Sequence, residues 1–138
     1  MPESVKCQVS IANDFREAKK VEDGIVAAAQ GYAYPDEDLF ALRLSLEEAL
    51  TNAIRHGNGC DPGKHVHVRY AVTPHQVDIY VADEGRGFDP SEIPDPTTAE
   101  NIELPSGRGI MLMRAYMNRV EYNPQGNEVH LVKRREAS

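Results

Sequence analysis

The sequence predicts an α+β fold: a two-layer α/β sandwich with a mixed, mainly antiparallel sheet and helices on one face. Two observations lead to this prediction. Segments with a two-residue apolar period come in adjacent pairs, and helix-period segments lie between them, so the order is β-α-α-β-β-loop-α-β-β. Such an order favours one sheet covered by helices on a single side. No composition break divides residues 1–138, which we expect to form one domain.

The chain begins with a predicted strand and a predicted helix. Apolar residues alternate with polar ones from Val5 to Ile11, as in a half-buried strand. Asn13 or Asp14 can then cap a helix, because a short polar side chain accepts a hydrogen bond from the first helical N–H groups. This helix should end near Gly31.

A second helix is predicted to begin at Pro35. The acidic residues Asp36–Asp38 follow directly, and negative charge is favourable at the positive end of a helix. The pattern continues to about His56, and Gly57 is expected to end the helix in a left-handed conformation.

The second half of the chain contains strands, a long loop and a third helix. Alternation over His65–Val72 and Gln76–Asp83 predicts a hairpin, and residues 84–106 form a loop that holds four of the nine prolines. A helix should start near Gly109, and strands at 119–122 and 127–134 should close the chain. The predicted apolar stripe of that helix comprises Ile110, Met113, Met117 and Val120.

Composition and charge narrow the classes of function. A net charge of −7 argues against a nucleic-acid surface, and the basic residues 133–135 are expected to be a solvated tail. No apolar run reaches the roughly 20 residues of a membrane-spanning helix. We expect no export signal, because the first residues lack a basic start followed by an apolar stretch, and Cys7 and Cys60 are too few for a disulfide framework. We therefore expect a cytoplasmic protein whose partners are proteins and small molecules, with no nucleic acid and no membrane.

The second predicted helix carries an unusual polar face. At about 100° per residue, Glu48, Asn52 and Arg55 fall within roughly 60° of one another. A solvated surface explains such a face on an arbitrary helix, so the helix alone decides nothing. The opposite side is apolar and comprises Leu39, Leu42, Leu46, Leu50 and Ala53.

Two glycine clusters downstream change this interpretation. Asp83-x-Gly85-x-Gly87 follows a predicted strand, and Gly107-x-Gly109 opens a predicted helix. Paired glycines let the backbone approach a ligand, and the start of a helix offers unpaired N–H groups to phosphate oxygens. Neither cluster completes a dinucleotide fingerprint, and there is no P-loop motif.

The order of three motifs resembles the three nucleotide-binding boxes of the GHKL ATPase superfamily. The motifs are the helix residues Glu48, Asn52 and Ala53, then the Asp-x-Gly-x-Gly segment, then Gly-x-Gly. The segments "LSLEEALTNAIRHGN" and "SGRGIMLMRAYMNRVEY" look most like the anti-sigma-factor serine kinases of the RsbW and SpoIIAB type. This resemblance covers nearly the whole chain. It implies the Bergerat-type ATP-binding fold, with ATP and Mg²⁺ as cofactors.

The resemblance implies roles for the residues of the helix box. Asn52 would hold Mg²⁺, which favours hard oxygen ligands and keeps waters and phosphates around it. Glu48 would accept the proton of an attacking serine hydroxyl or hold a water in line. His56, Gly57 and Asn58 stand where this box ends, and they are expected to lie near the phosphates or near the hinge of a lid over them.

The glycine boxes would hold the nucleotide itself. Asp83 would accept a hydrogen bond from the adenine amino group, and Gly85 and Gly87 would let the chain pass beneath the base and ribose. The loop after Gly87 would fold over the phosphates. Backbone donors would come from Gly107, Arg108 and Gly109, and the Arg108 side chain could also bind the γ-phosphate. Pro105 stands where some kinases of this group carry a basic residue.

Three functions remain open from the sequence. The first is an anti-sigma serine/threonine kinase, which phosphorylates a small STAS-type antagonist and sequesters a sigma factor in its absence. The second is a non-catalytic partner switch that senses ATP or ADP. The third is a histidine-kinase catalytic domain, for which this chain has no helical dimerisation region. The resemblance also implies a homodimer.

Overall fold

A computed structural model describes residues 4–85 and 107–136. The elements are β1 (Val5–Ala12), α1 (Phe15–Gly31), α2 (Asp36–Asn52), a π-helical turn (Ala53–Gly57), β2 (His65–Val72), β3 (Gln76–Ala82), α3 (Gly107–Tyr116), β4 (Arg119–Tyr122) and β5 (Glu128–Arg134). Asp14 caps α1, since its side chain accepts a hydrogen bond from the N–H of Arg16.

The five strands form one sheet in the order β1-β2-β3-β5-β4. All four pairings within the described residues are antiparallel, so no parallel pair is present there. Short turns connect β2 to β3 and β4 to β5, which is the connection that antiparallel neighbours allow. The predicted α+β class is confirmed.

The helices cover one face of the sheet. Residues that alternate along the strands point into a common core, among them Ile11, Val68 and Ile79, and α1 and α2 pack on this side. The other face is polar. There the ring of Tyr80 stacks on the ring of His130 at a centroid distance of 4.1 Å. The guanidinium of Arg69 lies 3.6 Å from the centroid of the Tyr80 ring.

Several predicted boundaries were wrong. The α-helical part of α2 ends at Asn52, and the following residues widen into the π-helical turn. Gly57 is not left-handed; the left-handed residues in this region are Gly59 and Cys60. The third helix begins at Gly107 and ends at Tyr116. Consequently Met117 lies just beyond that helix, although it is buried, and Val120 belongs to β4.

The basic residues 133–135 are not a solvated tail. Lys133 is a buried residue of β5, and its Nζ lies 3.6 Å from the carboxylate of the buried Asp38. The guanidinium of Arg135 donates to the carbonyls of Tyr32 and Ala33 at 2.7 and 2.9 Å. The prediction failed because acceptors far away in the sequence cannot be seen in a local charge pattern.

Within the described ranges, no helix is both long enough and apolar enough to cross a membrane. Cys7 and Cys60 are both exposed and form no disulfide.

Candidate functional site

The first part of the candidate site lies where α3 begins beside the end of α2. Gly109 packs against Glu48 and Asn52: a Cβ built on Gly109 would overlap the Glu48 carboxylate and lie 3.6 Å from Asn52 Nδ2. The glycine thus leaves room for the Glu48 carboxylate beside the start of α3, and a larger residue would displace that carboxylate. Glu48 and Asn52 are therefore not on a solvated surface, because α3 packs on this part of the polar face, whereas Arg55 is exposed in the π-helical turn.

Asn52 carries an unsatisfied polar group in this cleft. Its side chain is buried, and its Nδ2 has no hydrogen-bond partner among the described residues. A buried amide without a partner is costly, so a ligand is the natural partner for it. Rotating the amide by 180° would place its oxygen at the same position, which suits Mg²⁺. Together with the carboxylate of Glu48, these hard donors fit a magnesium–phosphate group.

The second part of the site joins the π-helical turn to the end of β3. A Cβ on Gly57 would overlap the carboxylate of Asp83, and a Cβ on Gly85 would overlap the carbonyl oxygen of Gly57. These two loops therefore touch through backbone atoms. The glycine at position 57, expected to end a helix, instead makes room for Asp83.

Asp83 is held in a defined orientation. Its backbone N–H donates to the carbonyl of Asn127 at 2.9 Å, and its carboxylate accepts the N–H of Gly85 at 2.8 Å. Burial raises the pKa of Asp83, and this effect exceeds the opposing effects of the Gly85 N–H and the Lys64 charge. A half-buried carboxylate with one fixed donor still has lone pairs for a ligand.

A hydrogen-bond network around the buried Asn58 lies behind this loop. Asn58 follows the π-helical turn, and its Oδ1 accepts the backbone N–H of Glu84 at 2.7 Å. Its Nδ2 donates to the carbonyl of His65 at 2.9 Å and to Asn13 Oδ1 at 3.1 Å. The carboxylate of Glu84 in turn accepts the N–H of His65 at 2.8 Å and lies 3.1 Å from His67 Nε2.

The structure brings the predicted residues together in two groups. Glu48, Asn52 and Gly109 form one group, and Asp83 and Gly85 form the other. The π-helical turn, which contains His56, connects them.

The remaining predicted site residues are Gly87, Gly107 and Arg108, and the structure describes them only in part. Gly107 and Arg108 form the first turn of α3, and the Arg108 side chain is outside the described part. Gly87, Pro105 and the loop between them also lie outside the described residues.

The sequence did not reveal two residues of the site. The backbone carbonyl of Asn127 accepts the N–H of Asp83, and Glu84 connects the loop to Asn58 and to β2. Glu84 directly follows Asp83 in the quoted motif, and that adjacency was the available signal. Asn58, which the resemblance places near the phosphates or the lid hinge, has a buried side chain that bonds to Glu84, His65 and Asn13.

The family model described as the histidine kinase-like ATPase domain matches residues 11–133. The chain belongs to this family. The matched segment contains every predicted site residue, from Glu48 to Gly109.

Similar proteins narrow the subgroup. The serine-protein kinase RsbW of Bacillus subtilis is 30% identical over 115 residues, which cover 78% of this chain and 71% of that protein. The anti-sigma F factor of Clostridium perfringens is 32% identical over 94 residues, 67% of each chain. The serine/threonine-protein kinase BtrW of Bordetella bronchiseptica is 30% identical over 94 residues, 67% of this chain and 66% of BtrW. The resemblance to the anti-sigma-factor serine kinases is confirmed.

The matches to curated relatives span 62 to 71% of the length of those proteins. Among solved structures, the RsbU and RsbW domains of Rv1364c from Mycobacterium tuberculosis align with a TM-score of 0.67. At 17% identity, the alignment covers 97% of this chain and 33% of that one. This likeness supports the fold.

Proposed function

We propose that the protein is an ATP-dependent serine/threonine kinase of the anti-sigma type. It would bind Mg-ATP, phosphorylate a serine of a small STAS-type antagonist, and sequester a sigma factor when that antagonist is absent. The observation that carries the proposal is the approach of Glu48 and Asn52 to Gly109 at the start of α3. A proton acceptor, an orphaned amide and helix N–H groups are the parts that phosphoryl transfer requires.

Each residue has a role in this proposal. Asn52 holds Mg²⁺, which supplies charge neutralisation at the phosphates when bound. Glu48 orients the serine hydroxyl and accepts its proton. Asp83 accepts the adenine amino group, and Gly85 keeps the loop flat beneath the base. The first turn of α3 donates backbone N–H groups to phosphate oxygens.

A protein substrate agrees with the exposed apolar side chains on the two helices that form this cleft. Among the described residues, four of the five exposed large apolar side chains belong to α2 and α3: Phe40, Met111, Leu112 and Tyr116. Phe40 and Tyr116 contact each other edge to face at 5.6 Å. Exposed apolar groups that cluster in this way mark protein interaction surfaces. Sigma factors act in the cytoplasm, where this proposal also places the protein, and a homodimer is the expected assembly.

The test is a transfer assay with labelled ATP, magnesium and a cognate antagonist. We expect Glu48→Ala to keep ATP affinity within about threefold and to lose transfer by at least about 100-fold, because the proton acceptor is gone. Glu47→Ala is the matched control: it alters the neighbouring carboxylate of the same helix, which is 57% exposed, and should change neither quantity.

Other outcomes are equally informative. Transfer by Glu48→Ala at the wild-type rate would remove Glu48 from the mechanism. ATP binding by the wild type without transfer to a confirmed antagonist would favour the non-catalytic partner switch.

A further inference from the structure

Asn58 is the best-satisfied buried polar side chain near the candidate site. It is 2% exposed, and both of its side-chain polar atoms have partners. Its Nδ2 uses both hydrogens, and its Oδ1 accepts the shortest bond of the three. A buried amide with this many bonds fixes the segments that it connects.

Asn58 and its partner Glu84 are the chain neighbours of two residues that contact each other in the site. Asn58 directly follows Gly57, which packs against the Asp83 carboxylate. Its partner Glu84 directly follows Asp83. The Asn58–Glu84 bond therefore sets the distance between the π-helical turn and the loop that carries Asp83.

Both ends of this bond are anchored to rigid elements. On one side, Asn13 at the start of α1 accepts from Asn58 and donates to the carbonyl of Asp61 at 3.0 Å. On the other side, the Glu84 carboxylate is fixed to β2 through the N–H of His65. The loop with Asp83 is thus tied to β2 and to the π-helical turn, independently of any nucleotide.

Recognition of adenine depends on where this loop lies. A carboxylate that accepts from the adenine amino group must lie within about 3 Å of it, and it repels the carbonyl oxygen that guanine carries at the same place. A displaced Asp83 would lose both the attraction and the repulsion. The result would be weaker ATP binding together with weaker rejection of GTP.

We propose that Asn58 is a positioning residue that sets the preference of the site for ATP over GTP, by holding the Asp83 loop through the backbone N–H of Glu84. This inference rests on the proposed nucleotide site.

The experiment is calorimetric titration of the whole protein with Mg-ATP and with Mg-GTP, at a temperature where each variant is folded by circular dichroism. We expect Asn58→Ala to weaken ATP binding roughly tenfold, the effect of one lost hydrogen bond, while GTP binding is unchanged or stronger. Asn58→Asp keeps the acceptor for Glu84 N–H and loses both donors. It should be less stable than the wild type but retain the ATP preference within about threefold.

A control separates positioning from general destabilisation. Tyr34→Phe removes another buried hydrogen bond, from the Tyr34 hydroxyl to the carbonyl of Thr73, at the opposite end of β2. It should lower the unfolding temperature and leave both nucleotide affinities unchanged. If Asn58→Ala does not fold, Asn58→Ser replaces it, because a serine hydroxyl is too short to reach Glu84.

The outcomes distinguish this inference from the proposed function. A wild type that binds neither nucleotide would overturn both. A wild type that prefers ATP, with the same preference in folded Asn58→Ala or Asn58→Ser, would overturn the inference alone. An equal loss of preference in Asn58→Asp would overturn the assignment to the Glu84 contact.

Discussion

At the scale of single residues, the glycines of the site are required by contact. A Cβ on Gly85 would meet the backbone carbonyl of Gly57, which can move only if the π-helical turn moves with it. A Cβ on Gly109 would meet the far end of the Glu48 side chain, which can rotate away. Substitution of the first should therefore disturb the loop, whereas substitution of the second should displace the proposed proton acceptor.

The charged side chain of Asp83 should make the folded protein less stable than an uncharged side chain of the same size would. Its pKa is raised because burial disfavours the carboxylate, so at neutral pH the charged form destabilises the native state. We expect Asp83→Asn to raise the free energy of unfolding at pH 7, by no more than about 1 kcal/mol. The gain should decrease as the pH falls through the raised native pKa and should vanish below the ordinary aspartate value of 3.8, where both states are protonated.

Urea denaturation of wild type and Asp83→Asn at several pH values checks this prediction. ATP binding by the variant should be lost in the same samples. A variant that is less stable than the wild type at pH 7 would show that the carboxylate makes native contacts that outweigh its burial.

At the scale of elements, α2 is buried on more than its apolar side. Ala41, Ser45, Ala49 and Asn52 are buried in addition to the leucines, because α1 and α3 flank this helix. The sequence indicates one apolar stripe, and small residues on the other faces look like surface positions. Small size here is what close packing of neighbouring helices requires. The polar face could not be assigned before α3 was placed.

Helix α1 offers a contrast with the site glycines. Gly24 lies in its exposed interior, and a Cβ there would be 4.0 Å from its nearest neighbour, the Tyr70 hydroxyl. Because glycine is a poor helix former, Gly24→Ala should stabilise the protein by about 1 kcal/mol. Gly85→Ala should destabilise it, and thermal unfolding of both variants measures the difference. A loss of stability in Gly24→Ala would mean that helix propensity does not govern this position.

At the scale of the whole molecule, the end of the chain ties together parts that are distant in sequence. Arg135 donates to the carbonyls of Tyr32 and Ala33, in the turn between α1 and α2. Ala33 has a φ of 61°, which is strained for a residue with a side chain. The arginine therefore stabilises a turn that its own residues do not favour.

Removal of this link should affect stability and not nucleotide binding. We expect Arg135→Ala to lower the free energy of unfolding by about 1 to 3 kcal/mol, because the charge-assisted bonds to the carbonyls of Tyr32, Ala33 and Pro74 are lost. Arg135→Lys should recover less than half, since an ammonium lacks the planar fork. Arg134→Ala, at the exposed neighbour, is the control. ATP affinity that falls in Arg135→Ala would contradict the separation of this end of the sheet from Asp83.

The sequence by itself determined the strands, the helices and the three segments that we propose to bind nucleotide, because each depends on residues close together in the chain. Apolar periods, helix caps and glycine pairs are local patterns of this kind. The α+β class followed from their order. These predictions needed no knowledge of which segments touch.

Only the tertiary structure decided how the segments meet. The packing of Gly57 against Asp83 and the hydrogen bond between Asn58 and Glu84 each join residues 26 positions apart. Burial of Lys133 likewise depends on Asp38, from the other half of the chain. Such contacts depend on how the whole core packs, so they cannot be predicted from a local sequence pattern.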